Sequence, residues 1–304
     1  MAKIFIDGSA GTTGLRIAER LAQEKDLSLI TLPEERRKDP AARAEAMAAA
    51  DLVFLCLPDA AAREAVTLCG ADTPLIDTST AHRTAEGWTY GFPELPGFRE
   101  KIAKSCRIAN PGCHASGFIA LTAPLTELGA LSPEAKLSCF SLTGYSGGGK
   151  KMIGEYEGPD RPAALDAPRQ YGLDQRHKHL PEMRRLCGLA HAPAFCPVVA
   201  DYYSGMEVTV TLFAGDLRCG FSELETLYRD YYSGPVVRYE PVDGAMAGGN
   251  DLSGRDGMAI SVAGNEERIL LIARFDNLGK GASGAAIQNM NLRLGRPETA
   301  GLVL

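Results

Sequence analysis

Concentrated positive charge is the first thing this 304-residue sequence lacks. Lysine and arginine number 32 against 38 aspartate and glutamate, a formal net charge of -6, and no basic run exceeds Arg36-Arg37-Lys38. Without a basic face nothing can neutralise a row of phosphates, which excludes nucleic acid and an anionic membrane and leaves a small-molecule substrate. Paired cysteines are missing too. The eight cysteines, Cys56, Cys69, Cys106, Cys113, Cys139, Cys187, Cys196 and Cys219, form no CxxC pair, and several sit in apolar runs such as Leu52-Val53-Phe54-Leu55-Cys56-Leu57. That is the pattern of reduced thiols in the cytoplasm rather than of a disulfide framework. Met1-Ala2-Lys3 leads straight into a short strand with no apolar segment of signal-peptide or membrane-spanning length, which also points to the cytoplasm. Repeats and low-complexity segments are absent, and histidine is scarce, at five residues.

What is present suits an ordinary enzyme of two domains: 45% hydrophobic and 23% charged residues are enough for one large core or two moderate ones. Residues 3–7 read as a buried strand, 8–14 as a glycine turn and 15–23 as an amphipathic helix. Strands at 27–32, 52–57 and 74–77 then alternate with helices at 41–49 and 60–68, the signature of a doubly wound parallel sheet. The pattern changes near Cys113. Beyond residue 136, alternating runs at 137–145, 206–213, 258–262 and 268–275, with a helix at 222–232, predict an antiparallel or mixed sheet in a second, α+β domain. A last helix spans 284–294.

Gly8, Gly11 and Gly14 lie between the first strand and the first helix. There they permit a tight turn and a close backbone approach to a pyrophosphate, although the spacing departs from GxGxxG. The turn Gly8-Ser9-Ala10-Gly11-Thr12-Thr13-Gly14 is therefore expected to bind a dinucleotide. After the second strand come Glu34 and Glu35, which suit a ribose, then Arg36 and Arg37, which suit a 2′-phosphate and favour NADP over NAD. In Asn110-Pro111-Gly112-Cys113 a thiol stands at a tight turn before a helical run. The unpaired N–H groups and the positive end of that helix favour its thiolate, so Cys113 is a candidate nucleophile rather than a small buried residue. His177 and His179 share the segment Arg176-His177-Lys178-His179-Leu180-Pro181-Glu182. No third ligand at a usual zinc spacing accompanies them, so no metal is expected, and general acid/base work suits them better. Arg83 closes a segment that follows a sheet strand, where an arginine can clamp a phosphate or carboxylate. Gly144-Tyr145-Ser146-Gly147-Gly148-Gly149-Lys150 does not fit a P-loop and is either an anion cradle or a mobile turn.

Together these residues resemble N-acetyl-γ-glutamyl-phosphate reductase of arginine biosynthesis, within the aspartate-semialdehyde dehydrogenase-like group. The resemblance rests on Asn110-Pro111-Gly112-Cys113 and the Gly8/Gly11/Gly14 turn, joined by Asp77-x-Ser79-x-x-x-Arg83 and Tyr90-Gly91-Phe92-Pro93-Glu94. Ser146-Gly147-Gly148-Gly149, His177-x-His179-x-Pro181-Glu182, Asp276-Asn277-Leu278-x-Lys280-Gly281-Ala282-x-Gly284 and Gln288-Asn289-Met290-Asn291 follow in the same order. It implies an α/β fold: an N-terminal Rossmann-type NADP-binding domain, residues 1–113, completed by 282–304 as the C-terminal helix returns to it. An α+β catalytic and oligomerisation domain, residues 114–281, is inserted between them. It further implies Cys113 as nucleophile with His179 or His177 managing protons, and substrate contacts from Arg83, Asn110 and Glu182. Ser79, Gly147, Asn277, Lys280 and Gly281 join the glycine turn and Arg36 and Arg37 at the NADP, and the enzyme is a homo-oligomer, a dimer or tetramer. The chain departs from many members in carrying His114-Ala115-Ser116 after the cysteine, where they have Tyr-Pro-Thr, and it looks like the short subclass. The expected reaction is NADPH-dependent reduction of the acyl phosphate through a thioester. Related acyl-phosphate reductases acting on aminoadipyl or aspartyl phosphate, and an NADP-sensing regulator without turnover, are the rival readings.

Overall fold

Two kinds of hydrophobic pattern build two kinds of sheet. The computed structural model describes residues 1–304 and divides into two units, Met1–Pro111 with Ala282–Leu302, and Gly112–Gly281 with Val303–Leu304.

In the first unit, β1 (Ala2–Asp7), β2 (Leu27–Ile30), β3 (Leu52–Leu55), β4 (Leu75–Asp77), β5 (Thr89–Tyr90) and β6 (Arg107–Ala109) pair in the order β2-β1-β3-β4-β6-β5. Every pairing is parallel. Strand β3 is buried at all of its residues, which is why it reads as an unbroken Leu-Val-Phe-Leu: both of its faces are covered. Successive residues supply opposite faces. Ile4, Ile6, Leu52 and Phe54 pack with Ile17 and Leu21 of α1 (Thr12–Leu21) and with Ala286, Ile287 and Met290 of the C-terminal helix, Gly284–Arg293. On the other face, Phe5, Val53 and Leu55 meet Ala46 and Met47 of α2 (Pro40–Ala48) and Ala65 of α3 (Asp59–Leu68). The remaining helix, α4 (Phe98–Lys104), buries Ile102 in the first of these clusters. The chain leaves β1 for β2 on one side and returns to β3 on the other. The carboxyl ends of β1 and β3 thus flank the point where strand order reverses, the place where open α/β sheets bind ligands.

The second unit holds α5 (Cys113–Glu127) and seven strands: β7 (Ser138–Gly144), β8 (Arg169–Gln170), β9 (Ala194–Ala200), β10 (Met206–Phe213), β11 (Val237–Tyr239), β12 (Met258–Gly264) and β13 (Arg268–Phe275). Their order is β11-β12-β13-β10-β7-β9-β8, antiparallel except for the pairs β11/β12 and β7/β9. Alternation is clear in β10, where Met206, Val208, Val210 and Leu212 are buried and the residues between them are not. Helix α5 lies against β10 and β13 and is buried at every residue from His114 to Leu125.

Pro124 sits inside α5 and has no N–H for the carbonyl of Ala120. Tyr232, at the end of α8 (Phe221–Tyr231), supplies the missing donor at 2.8 Å, and Tyr228 donates to the neighbouring carbonyl of Leu121. The other helices of this unit are α6 (Gly149–Glu157) and α7 (Leu180–Leu186). Before α6, Tyr145–Gly148 form a 3-10 turn in which Ser146 is buried and Gly147 and Gly148 are exposed.

Candidate active site

At the end of β1 the glycine turn is shaped by packing. Gly8 has φ +90°, and a Cβ there would lie 2.3 Å from the carbonyl oxygen of Cys56. A Cβ on Gly14 would lie 2.5 Å from the oxygen of Gly8, whereas one on Gly11 meets nothing nearer than 3.5 Å. The first and third glycines are therefore sterically required. Thr12, Thr13 and Gly14 form the first turn of α1, whose leading N–H groups have no partner within the helix and suit an anion. A cavity of about 380 Å³ opens beside this turn, walled by Gly8, Ser9 and Ala10, by the apolar Leu29 and Leu32, and by Arg37 and Lys38. Asp7 and Glu34 line it as well, and an apolar slot with a glycine turn, an acid suited to a ribose and two cations fits the adenosine half of a nicotinamide dinucleotide. Arg36 does not line it: half-exposed, it stands 3.8 Å from Asp39 and 3.9 Å from Glu45. Of the expected arginine pair, Arg37 lines the cavity beside Lys38, while Arg36, the last residue of the 3-10 turn Glu34–Arg36, faces the capping Asp39 and Glu45 of α2.

The same unit brings Arg83 and Asn110 together. Arg83 donates through Nε to the carbonyl of Asn110 at 2.9 Å and through Nη2 to that of Thr78 at 3.3 Å. The Asn110 amide donates to Ala282 O at 3.0 Å and accepts from Asn289 at 3.2 Å. Ser79 is buried against Asp77, giving it both its N–H (2.9 Å) and its hydroxyl (2.8 Å).

Cys113 opens α5. Gly112 precedes it in extended conformation, and the N–H of Ser116 returns to Gly112 O at 2.8 Å to close the first turn. The thiol is half-buried where the helix end favours a thiolate. Gly281 lies against it: a Cβ at that position would come within 2.9 Å of the Cys113 Cβ. Glu182 was expected at the substrate, but its carboxylate is 1% exposed and accepts the Gly112 N–H at 3.2 Å. Its other oxygen is 4.0 Å from Nε2 of His179, so it ties the turn before the thiol to the histidine segment. His179 is buried at the start of α7, and its ring lies 4.7 Å from that of His177.

A third histidine joins them. The His114 ring lies 5.7 Å from that of His177 and 5.5 Å from that of His179. Its Nδ1 is 2.6 Å from Ser141 Oγ and its Nε2 is 2.6 Å from Tyr171 Oη. Burial, with the neighbouring His177 adding to it, pushes the His114 pKa down to about 3, so the ring is neutral at physiological pH. Sequence reasoning passed over Ser141 and Tyr171. The one available signal was a serine at an inward position of β7, between the buried Cys139 and Thr143. Asn277 and Lys280, expected at the cofactor, are buried at 2% and 1% exposure. Asn277 accepts the Gly205 N–H at 2.8 Å and donates to Ser146 Oγ at 3.0 Å, with Gly147 in ordinary contact beside it.

Residues 3–105 match the family model for the semialdehyde dehydrogenase NAD binding domain, and residues 113–277 the one for the semialdehyde dehydrogenase dimerisation domain. N-acetyl-gamma-glutamyl-phosphate reductase of Chelativorans sp. is 46% identical, the match covering 96% of this chain and 98% of that protein. N-acetyl-gamma-glutamyl-phosphate reductase 2 of Nostoc sp. is 42% identical, with 99% of each covered. Aspartate semialdehyde dehydrogenase II of Vibrio cholerae, solved in complex with ASA, shares the fold with a TM-score of 0.71 at 15% identity, covering 97% of this chain and 98% of that one. The chain belongs to the N-acetyl-gamma-glutamyl-phosphate reductase family, built on the semialdehyde dehydrogenase fold.

Proposed function

We propose that this chain reduces N-acetyl-γ-glutamyl phosphate to N-acetylglutamate 5-semialdehyde, with release of phosphate, through a thioester on Cys113 and at the expense of NADPH. The observation that carries the mechanism is a thiol on the first turn of α5 whose preceding turn is held by Glu182, the carboxylate beside His179. His179, with His177 as its neighbour, takes the thiol proton. The thiolate attacks the acyl carbon, a C–S bond forms, and the acyl–oxygen bond breaks with its electron pair leaving on phosphate. Arg83 and Asn110 are assigned to that phosphate by charge and family likeness. Held through its pyrophosphate at the glycine turn, NADPH would supply the hydride that reduces the thioester carbonyl. The Cys113 N–H at the helix start is suited to the resulting oxyanion, and its collapse breaks the C–S bond, frees the semialdehyde and returns the thiolate.

Arg37 and Lys38 at the cavity support NADPH over NADH. A homo-oligomer is supported by the description of the dimerisation domain and by apolar side chains on the outward face of the second sheet: Phe140 at 44%, Phe213 at 65% and Leu270 at 38% exposure. The cytoplasm suits eight free thiols, and no helix is long and apolar enough to cross a membrane. The test follows phosphate-dependent reduction of NADP⁺ by N-acetylglutamate semialdehyde and by aspartate semialdehyde. The first substrate should be the faster one, and equal rates or a preference for the second would overturn the assignment.

A further inference from the structure

The segment Gln288-Asn289-Met290-Asn291 takes no part in the chemistry above, yet one of its side chains is linked to Arg83 through Asn110. Asn289 is fully buried in the C-terminal helix. Its amide donates to the carbonyl of Gly91 at 2.9 Å and to Oδ1 of Asn110 at 3.2 Å, and its own oxygen is buried with no donor on it. Both acceptors are oxygens, so the amide has one orientation: turned over, it would set lone pairs against lone pairs. Gly91 makes room for it, since a Cβ there would lie 2.4 Å from the Asn289 nitrogen. Asn110 is fixed in turn. With its Oδ1 taken by Asn289, its amide nitrogen donates to Ala282 O at 3.0 Å and its backbone N–H to Asp77 O at 2.8 Å. The side chain is buried and engaged at both ends within the protein. What remains is its main-chain carbonyl, which accepts Nε of the half-buried Arg83 at 2.9 Å. Thr78 O accepts Nη2 at 3.3 Å, and Thr78 is itself tied to Leu55 O by its N–H at 2.9 Å and its hydroxyl at 3.0 Å. Two carbonyls beyond the ends of the adjacent strands β4 and β6 therefore set the plane of the guanidinium. A planar fork grips a phosphate well only when that plane is right.

We propose that Asn289 and Asn110 are positioning residues that hold the Arg83 fork in the plane that receives phosphate, Asn110 acting through its main-chain carbonyl rather than through its amide. The work at the phosphate is thereby divided: Arg83 grips it, and the two asparagines aim the grip. Arg83 owes its phosphate to the reductase reading above, but the hydrogen bonds that fix its plane stand without that reading.

Phosphate-dependent reduction of NADP⁺ by N-acetylglutamate semialdehyde reads the fork through KM for phosphate, and phosphorus NMR titration with inorganic phosphate reads it without turnover. Asn289→Ala should raise KM for phosphate about tenfold, as when one hydrogen bond to a charged group is lost, and leave KM for NADP⁺ and for the semialdehyde within about twofold. Asn110→Ala, which keeps the carbonyl and loses the amide, should do the same, and the double change should be no worse than either alone. Arg83→Lys retains the charge without the fork. It should also raise KM for phosphate, and on that background Asn289→Ala should add nothing, whereas a residue that merely stabilises its helix would still show its effect. If Asn289→Ala does not fold, Asn289→Ser, which keeps one donor, carries the same comparison with a smaller shift. An unchanged KM for phosphate in Asn289→Ala, a rise shared equally by every substrate, or an equal further rise on the Arg83→Lys background overturns the proposal. So does phosphate binding that Arg83→Lys leaves untouched. If N-acetylglutamate semialdehyde is not turned over, while Asn289→Ala weakens phosphate binding in the NMR titration and does so only with Arg83 in place, the assigned reaction falls and the positioning role stands.

Discussion

The Gly8–Gly14 turn works through backbone and tolerates almost no side chain, whereas the surroundings of Cys113 are made of side chains drawn from separate segments. In the first, function depends on what is missing: Cβ atoms at Gly8 and Gly14 would lie 2.3 Å and 2.5 Å from carbonyl oxygens. In the second, side chains meet: Glu182 with the Gly112 N–H and His179, and His114 with Ser141 and Tyr171. A backbone site is written in a few adjacent letters. A side-chain site is assembled by the fold, so its members are scattered along the chain and few of them announce themselves.

The two regions should fail differently when changed. Cys113→Ser keeps the shape but puts a hydroxyl, a far weaker nucleophile, in place of the thiol, so turnover should drop at least about a thousandfold with the unfolding midpoint hardly moved. Near-native acyl-phosphate reduction by Cys113→Ala would remove the covalent mechanism altogether. Gly14→Ala should do the reverse, costing on the order of 3 kcal/mol of stability as the turn yields, together with weakened cofactor binding. Denaturant titration reads the first effect and fluorescence titration with NADPH the second. A fully stable Gly14→Ala protein would mean that the turn has slack.

Replacing Arg37 and Lys38 together by alanine should cut the preference for NADPH by roughly ten- to a hundredfold, corresponding to about 1.5–3 kcal/mol, and spare NADH. Arg36→Ala should do much less, since that side chain faces Asp39 and Glu45. Comparing kcat/KM for the two cofactors separates these outcomes, and discrimination that survives the double change would put the 2′-phosphate elsewhere.

A smaller effect should appear in the pH dependence of stability. The folded-state pKa of His114 is depressed to about 3 from 6.5, so above pH 6.5 the ring is neutral in both states. As pH falls below 6.5 the unfolded chain takes up a proton that the folded one refuses, and stability declines toward pH 3. Between pH 7 and pH 5 the loss should be on the order of 2 kcal/mol. His114→Gln should flatten that slope in denaturant titrations at the two pH values, and an unchanged slope would mean that another group sets it.

Much of the fold could be read from pattern alone. The runs at 206–213 and 268–275 coincide with β10 and β13 end to end: β10 keeps the period-two record of a sheet with one buried face, whereas β13 is buried at every residue from Leu271 to Phe275 and reads as an apolar run. Helix α1 begins at Thr12 rather than at residue 15, since the first helical turn is polar and carries no apolar periodicity to mark it. Arg36 and Arg37 could not be told apart by sequence, as the outward or inward direction of each depends on the 3-10 turn before them. The turn before Cys113 was legible from local spacing. Ser141 and Tyr171 were not: they lie 27 and 57 residues from His114, and only the pairing of β7 and β9 and the chain leading to Tyr171 bring them to it.

Pro124 and Tyr232 have a consequence for how this chain tolerates change. Helix α5, which carries Cys113 at its first residue, borrows one rung of its ladder from another segment, the Tyr232 hydroxyl on Ala120 O at 2.8 Å. Tyr232→Phe alone removes that rung while the proline still offers none, whereas Pro124→Ala restores an N–H of the helix's own. The two positions are therefore epistatic: loss of the hydroxyl should cost about 1 kcal/mol or more beside Pro124 and little beside alanine. Homologous chains should be free to lose the proline first and the tyrosine afterwards, and not in the opposite order.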